Sequence, residues 1–570
     1  MKRNLLSLSA SVLFSLSVAV FGLASCSDKV YEEINTDPTK ADHVNPASEL
    51  SYAELQMYGD MSYTDVHRLY TYAFTQHLMG CYNTTFYGGV NRMDDNEMAR
   101  PWNNLYPGAL RNLTDAIEKT KDDAGKANIH AALRIFRVYV GSVISDFYGD
   151  VPYTEAGLGY LKNVSKPKYD KQEDIYRSFF TELKEAAKLF SSSAEAISSD
   201  PMFNGNISAW RTFANSLRLR YAMRISKVLP DLAQAEFKAA LADGVMSSDA
   251  DNACVKHMNV TYSFGQESYR DFRGNALSKF FYGNDPANNP TYICKTFWDQ
   301  LYDNKDPRTT RLFRFYIDDF MSVTSSDGRI DVTDAVLETQ EANPTVKLIS
   351  NIIPGDFSWD DWPSYTDIPG SPLALQIASI QNMHPGYEPS SNPRWLKPKL
   401  ANNFLKSDNP GVIMTYAEVC FLRAEAAVIG WTNDDAKGLY EAGIRASMNL
   451  LATAYGCAAV TDAEYATYIA EPSIAFGTGK DQQLSQINTQ AWILHFHNPA
   501  EAWANVRRAD LPKLKNPTPT KNTVVDGENI PVRICYPKKE ITNNPEAYEE
   551  AVSRVTGGYN WHAPVWWDVK

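Results

Sequence analysis

The stretch NIHAALRIFRVYVGSVISDFYG, residues 128–149, decides the fold class. Ile129, Leu133, Phe136, Val140, Val143 and Phe147 recur at steps of four and three, which puts them on one stripe of a helix. The helix is predicted to end near Tyr148-Gly149. In Tyr148-Gly149-Asp150-Val151-Pro152-Tyr153, a Gly and then a Pro let a chain stop and turn sharply, so this segment reads as a structural turn rather than a ligand contact.

Working outward, the same period returns at Ile175, Phe179, Leu183, Ala186 and Phe190, and at Trp210, Ala214, Leu217, Tyr221 and Ile225. Asp231 to Asp243 reads as a shorter helix. Val419, Leu422, Ala426 and Ile429, then Tyr440, Ile444, Met448 and Leu451, bracket a turn at Gly430-Trp431-Thr432-Asn433. That is a helical hairpin of tetratricopeptide-like size. Between about Met246 and Pro410 the pattern changes: Pro, Gly, Asn and aromatics crowd together, and helical period is confined to Thr291–Asp303. Connections this long are functional or disordered, and their aromatic content argues against disorder. Loops on a rigid scaffold carry binding groups, so this insertion and the tract Met79–Arg100 are where a site is expected.

The fold expected is mainly α, a tetratricopeptide-like helical hairpin scaffold over about 46–245 and 411–570. A long irregular loop-rich ligand-binding region occupies about 246–410.

At the start of the chain, Lys2 and Arg3 precede an apolar run from Leu5 to Phe21, followed by Leu23-Ala24-Ser25-Cys26. Small residues before a cysteine suit cleavage just ahead of a lipidated Cys26. Residues 1–25 therefore read as a lipoprotein signal peptide, 26–45 as a lipidated tether, and 46–570 as a single domain. A transmembrane anchor is the competing reading, since about 20 apolar residues can span a bilayer. Serines interrupt the run, however, and Ser27-Asp28-Lys29 turns polar at once.

A balance of 44% hydrophobic and 22% charged residues suits a large folded core. The net charge of -13 argues against nucleic-acid and other polyanionic partners, which need clustered cations. Aromatics make up 12% of the chain, with 12 Trp and 32 Tyr, more than a core demands, so some are expected to face a ligand. Besides Cys26, the cysteines are Cys81, Cys254, Cys294, Cys420, Cys457 and Cys535, and no two have C-x-x-C spacing. Neither a zinc site nor a redox pair is indicated, and most are expected as buried thiols.

Ordered pieces along the chain carry a resemblance. They are Asn35-Thr36-Asp37-Pro38, Ser145-Asp146-Phe147-Tyr148-Gly149-Asp150-Val151-Pro152-Tyr153-Thr154-Glu155-Ala156, and Trp210-Arg211-Thr212-Phe213-Ala214-Asn215-Ser216-Leu217-Arg218-Leu219-Arg220. They continue with Asp306-Pro307-Arg308, Ala417-Glu418-Val419-Cys420-Phe421-Leu422-Arg423-Ala424-Glu425-Ala426-Ala427, Glu501-Ala502-Trp503, Arg507-Arg508 and Trp566-Trp567-Asp568. In this order they resemble the SusD/RagB-type nutrient-binding outer-membrane lipoproteins, in particular the starch-binding branch. The resemblance implies a helical scaffold decorated by a loop-rich binding region, no catalysis and no cofactor. It also implies a lipid-anchored place on the outer membrane, facing outward, as a lid on a SusC-like TonB-dependent transporter that receives the captured glycan or peptide.

Several motifs read as structural. Arg218, Arg220 and Arg224 lie on an amphipathic helix and are expected to pair with carboxylates such as Glu418 or Glu425. Trp503, Trp566 and Trp567 are expected to pack near the scaffold's end. No motif of the family transfers ligand-binding residues to this chain, so these rest on chemistry. A glycan offers hydroxyls at its edge and flat C–H faces, which calls for aromatic platforms beside short polar groups. The candidates are Tyr82, Asn83 and Tyr87 in the 81–89 tract, Tyr269 and Arg270 in 267–271, and Trp359, Asp361 and Trp362 in 357–365. The competing reading for each is an aromatic that pins a long loop to the scaffold.

No H-E-x-x-H, G-x-S-x-G, Walker loop or EF-hand series is present. His495 and His497, two apart, point to different sides of a helix, which disfavours a shared metal. Asp327, Asp331 and Asp334 could attract calcium but read as solvated acids, so no metal is expected. The leading expectation is a cell-surface glycan-binding lipoprotein. A peptide-capturing member of the same family, a protein-interaction scaffold and an all-helical glycoside hydrolase are the alternatives. The hydrolase would need two carboxylates about 5 to 10 Å apart in a cleft.

Overall fold

The apolar stripe at 129–147 is buried along a helix of 22 residues, and the scaffold is assembled around it. The structure is a computed structural model that describes residues 44–80, 87–260, 271–282, 291–317, 330–331, 333–334, 337, 398–517 and 524–570. Pro46–Lys570 forms one compact unit; of the preceding unit, only Val44 and Asn45 are described.

Pro46–Gly59 (α1) and Arg111–Thr120 (α2) lie against each other and against Ala127–Tyr148 (α3). Gly149 ends α3 at φ +92°, a conformation that suits a residue without Cβ, and its N–H donates to Ser145 O at 2.7 Å. The turn that follows is structural, as expected. Tyr148 is buried with its hydroxyl donating to Met98 O at 2.6 Å, and the Tyr153 ring fills the gap at Gly141, where a Cβ would come within 2.4 Å of it.

Gln172–Leu189 (α4), Ile207–Arg224 (α5) and Pro230–Asp243 (α6) then stack in sequence. Asn206 starts α5 by accepting the N–H groups of Ser208 and Ala209 on its side chain, relieving donors that have no partner within the helix. Phe190 and Ile225, the last members of two predicted stripes, sit one residue beyond their helices.

The expected hairpin is present as Tyr416–Val428 (α7) and Ala436–Tyr455 (α8), with Gly430 at φ +82° in its turn. The two helices approach closely because Gly443 receives the Phe421 ring. Lys480–Leu494 (α9) and Pro499–Ala509 (α10) follow. In space α5 packs on α7, α7 on α9, α9 on α10 and α10 back on α3. The scaffold is thus mostly helical and closes upon itself. Trp567 seals that closure by donating its indole N–H to Asp146 of α3 at 2.9 Å, and both residues are buried.

Between α6 and α7 the described segments are short. Leu78–Gly80 (β1) pairs antiparallel with Thr291–Ile293 (β3), and Ala253–Val255 (β2) with Gly411–Met414 (β7). Phe313–Ile317 (β4) lies between Ile330–Asp331 (β5) and Pro398–Leu400 (β6). The period read at 291–303 resolves into β3 and a helix at Lys295–Tyr302; a second short helix, Ala276–Tyr282, carried no period that singled it out. Among the described residues no helix is long and apolar enough to cross a membrane. Cys254, Cys294, Cys420, Cys457 and Cys535 are free thiols.

Candidate functional site

The described residues that flank the chemically selected tracts are neighbours. Gly80, just before 81–86, pairs in register with Thr291, just after 283–290. β6, which follows 338–397, lies beside β3 and pairs with β4, whose Ile317 precedes 318–329. Val260, just before 261–270, donates its N–H to Ser407 Oγ at 2.9 Å, and Asn275 donates its own to Ser407 O at 2.6 Å. Tyr82, Asn83, Tyr269, Arg270, Trp359, Asp361 and Trp362 themselves, like Cys26, lie outside the described residues.

Tyr87 is described, and it is half-buried with its ring 5.9 Å from that of Tyr70. Burial pushes its phenol pKa up. Gly88 then lies against the helical turn 67–71, where a Cβ would come within 2.6 Å of Leu69 O. Asn91, at φ +49°, donates from its carboxamide to Gly527 O and Asn529 O, both at 2.8 Å, and Val525 N–H donates to Val90 O at 3.0 Å. The tract beginning at Tyr87 is therefore stitched to residues 525–529. In the tract 267–271, Asp271 is held by the Arg273 guanidinium at 2.5 and 2.7 Å.

The three arginines of α5 are buried and paired, though not all as expected. Arg220 makes a two-point contact with Glu418 of α7 at 2.6 and 2.7 Å and donates to Ile413 O at 2.8 Å. Arg224 instead reaches Glu501 of α10 at 2.6 and 2.7 Å and lies 3.6 Å from Asp146 of α3. Arg218 turns the other way, to Glu236 at 3.0 Å and Asp243 at 2.6 Å of α6. Glu425, expected as a partner for this helix, is taken by Arg508 at 2.6 and 2.8 Å. Burial alone would raise the Glu418 carboxyl; Arg220 and His495 beside it overcome that and hold it at about 2.

Glu418, His495 and Glu501 bring candidate ligand atoms within 4.8 Å of one another. The donor set does not suit a cation, because Arg220 and Arg224 already neutralise both carboxylates and would repel one. His497 diverges from His495, as its spacing predicts, and stacks on Tyr455 at 4.8 Å between ring centroids. A gap of about 10 Å³ bordered by Asp146, Arg220 and Glu501 has room for about one water. Asp331 is paired with Arg314, so that acid is not a free calcium ligand. Trp503 and Trp567 are buried, and Arg507 lies over both rings at 3.8 and 4.8 Å. These groups hold the scaffold together; the described residues that anchor the tracts around β1, β3, β4 and β6 are the ones positioned to support a ligand site.

Over residues 38–341 and 377–537 the sequence matches the family described as SusD-like, starch-binding associating with outer membrane. The chain belongs to the SusD-like family. A SusD-like protein from Bacteroidetes AC2a is 72% identical, with TM-score 0.86, over 92% of this chain and 100% of that one. A structure named as a chitin-binding protein is 32% identical, with TM-score 0.73, over 92% of this chain and 100% of that one. A SusD homologue from Bacteroides ovatus shares the fold at 21% identity and TM-score 0.67, over 92% of this chain and 99% of that one. Among curated proteins none matches. SusD-like proteins are an outer-membrane-associated, carbohydrate-binding family and not an enzyme family.

Proposed function

We propose that this SusD-like chain captures oligosaccharide at the cell surface, unaltered, and passes it as a lid to a SusC-like TonB-dependent transporter. The observation that carries the reading is the family match over most of the chain, described as starch-binding at the outer membrane. The relative named as chitin-binding extends the support to another neutral polysaccharide. The scaffold fits the role: its charged groups are consumed in buried pairs, while the selected aromatics fall in tracts anchored beside one another. Lipidation at Cys26 would hold the chain at the membrane.

Calorimetric titration with maltooligosaccharides and chitooligosaccharides tests capture, and chromatography of the same mixtures tests turnover. Binding with the sugars recovered intact is the expected result; shortened products would make the chain a hydrolase. Co-purification with a large outer-membrane barrel tests the lid role.

A further inference from the structure

A second cleft, of about 350 Å³, opens where Gly149-Asp150, the start of α4 and segments of residues 533–569 meet. None of the aromatics selected from sequence lines it. Two of its lining residues, Arg533 and Asp568, are each 3% exposed. Arg533 donates from Nε to Ala563 O at 2.8 Å and from Nη2 to Pro564 O at 2.9 Å, but its Nη1 has no hydrogen-bond partner. Both carboxylate oxygens of Asp568 also lack one. Buried polar groups are seldom left in that state.

The two groups together restrict what the cleft can take. An anion would suit Arg533 and be repelled by Asp568, while a cation would meet the reverse. A hydroxyl accepts from one and donates to the other. Around these groups the lining is what a sugar needs. Half-buried Trp566, its N–H held by Gln172 Oε1 at 2.9 Å, and exposed Val569 offer apolar surface to C–H faces. Thr556 stands exposed at the rim, and Asp150 with Arg554, paired at 2.6 Å, closes one side. The volume falls at the small end of the range of ligand pockets, about 300–1,000 Å³.

The geometry points to a second saccharide subsite in this cleft, which takes a neutral sugar unit with its hydroxyls toward Arg533 and Asp568. This rests on the glycan-capture reading above and adds a position to it.

The test uses the full chain, with maltotriose and chitotriose as probes. Calorimetry is expected to resolve two binding events with at least one of them. T556W and V569R, both at exposed rim positions, should weaken one event at least tenfold while the thermal unfolding midpoint stays put. The double variant W359A/W362A should leave that same event intact. A single event untouched by T556W and V569R would overturn the subsite and spare the capture reading. No binding of either sugar family at any length would overturn both.

Discussion

Arg220 and Arg224 stand one helical turn apart on α5 and reach different helices, so each fixes a separate contact of the scaffold. Removing one guanidinium leaves a buried carboxylate uncompensated, which costs about 3–5 kcal/mol. R220A is therefore expected to lower the denaturant midpoint strongly, whereas R220M combined with E418M should be close to neutral. The Glu418 carboxyl, held at about 2, lies below its ordinary 4.5. Its contribution to stability is present above pH 4.5 and is lost as pH falls toward 2, and the R220A variant should lack this part of the acid transition. Glu54 behaves in the opposite way. It is fully buried, with neither carboxylate oxygen hydrogen-bonded, and burial and then Asp200 push it well above the usual range. Folding therefore holds its proton, and stability declines as pH rises past 4.5, where the unfolded chain ionises. E54Q should unfold at a higher temperature than the parent at pH 7, with the difference vanishing at pH 4.

At the scale of elements, the α7–α8 hairpin depends on close approach at Gly443. A Cβ there would lie 2.5 Å from the Phe421 ring, which sits in the core and has little room to retreat. G443A is expected to cost about 1–3 kcal/mol by overpacking, read by chemical denaturation. The helices themselves were legible because the apolar positions from Ile129 to Phe147, and their counterparts in α4, α5, α7 and α8, keep the helical step. The pairing of charges was less so. Arg220 finds Glu418 as residue type suggested, but Arg224 finds Glu501, 277 positions away, and no local pattern encodes a partner at that distance. The amphipathic reading of α5 also placed its arginines toward solvent, whereas α6, α7 and α10 surround the helix and bury them. Ala276–Tyr282 was missed because seven residues are too few to display a period.

At the scale of the whole molecule, scaffold and ligand surface are expected to be separable. W359A/W362A should weaken oligosaccharide binding while leaving thermal unfolding nearly unchanged; a large loss of stability with unaltered affinity would mark those rings as packing residues. The binding positions were legible only as chemistry, aromatics beside amides and acids, because loop sequences carry no period from which shape can be read. Tyr87 illustrates the limit: the same ring that suits a sugar also packs on Tyr70. The bond from Trp567 to Asp146 has a consequence for biogenesis. A nascent polypeptide interrupted anywhere before residue 567 leaves that acid uncapped inside an open shell, so truncated products should be cleared by proteases rather than persist as partial receptors.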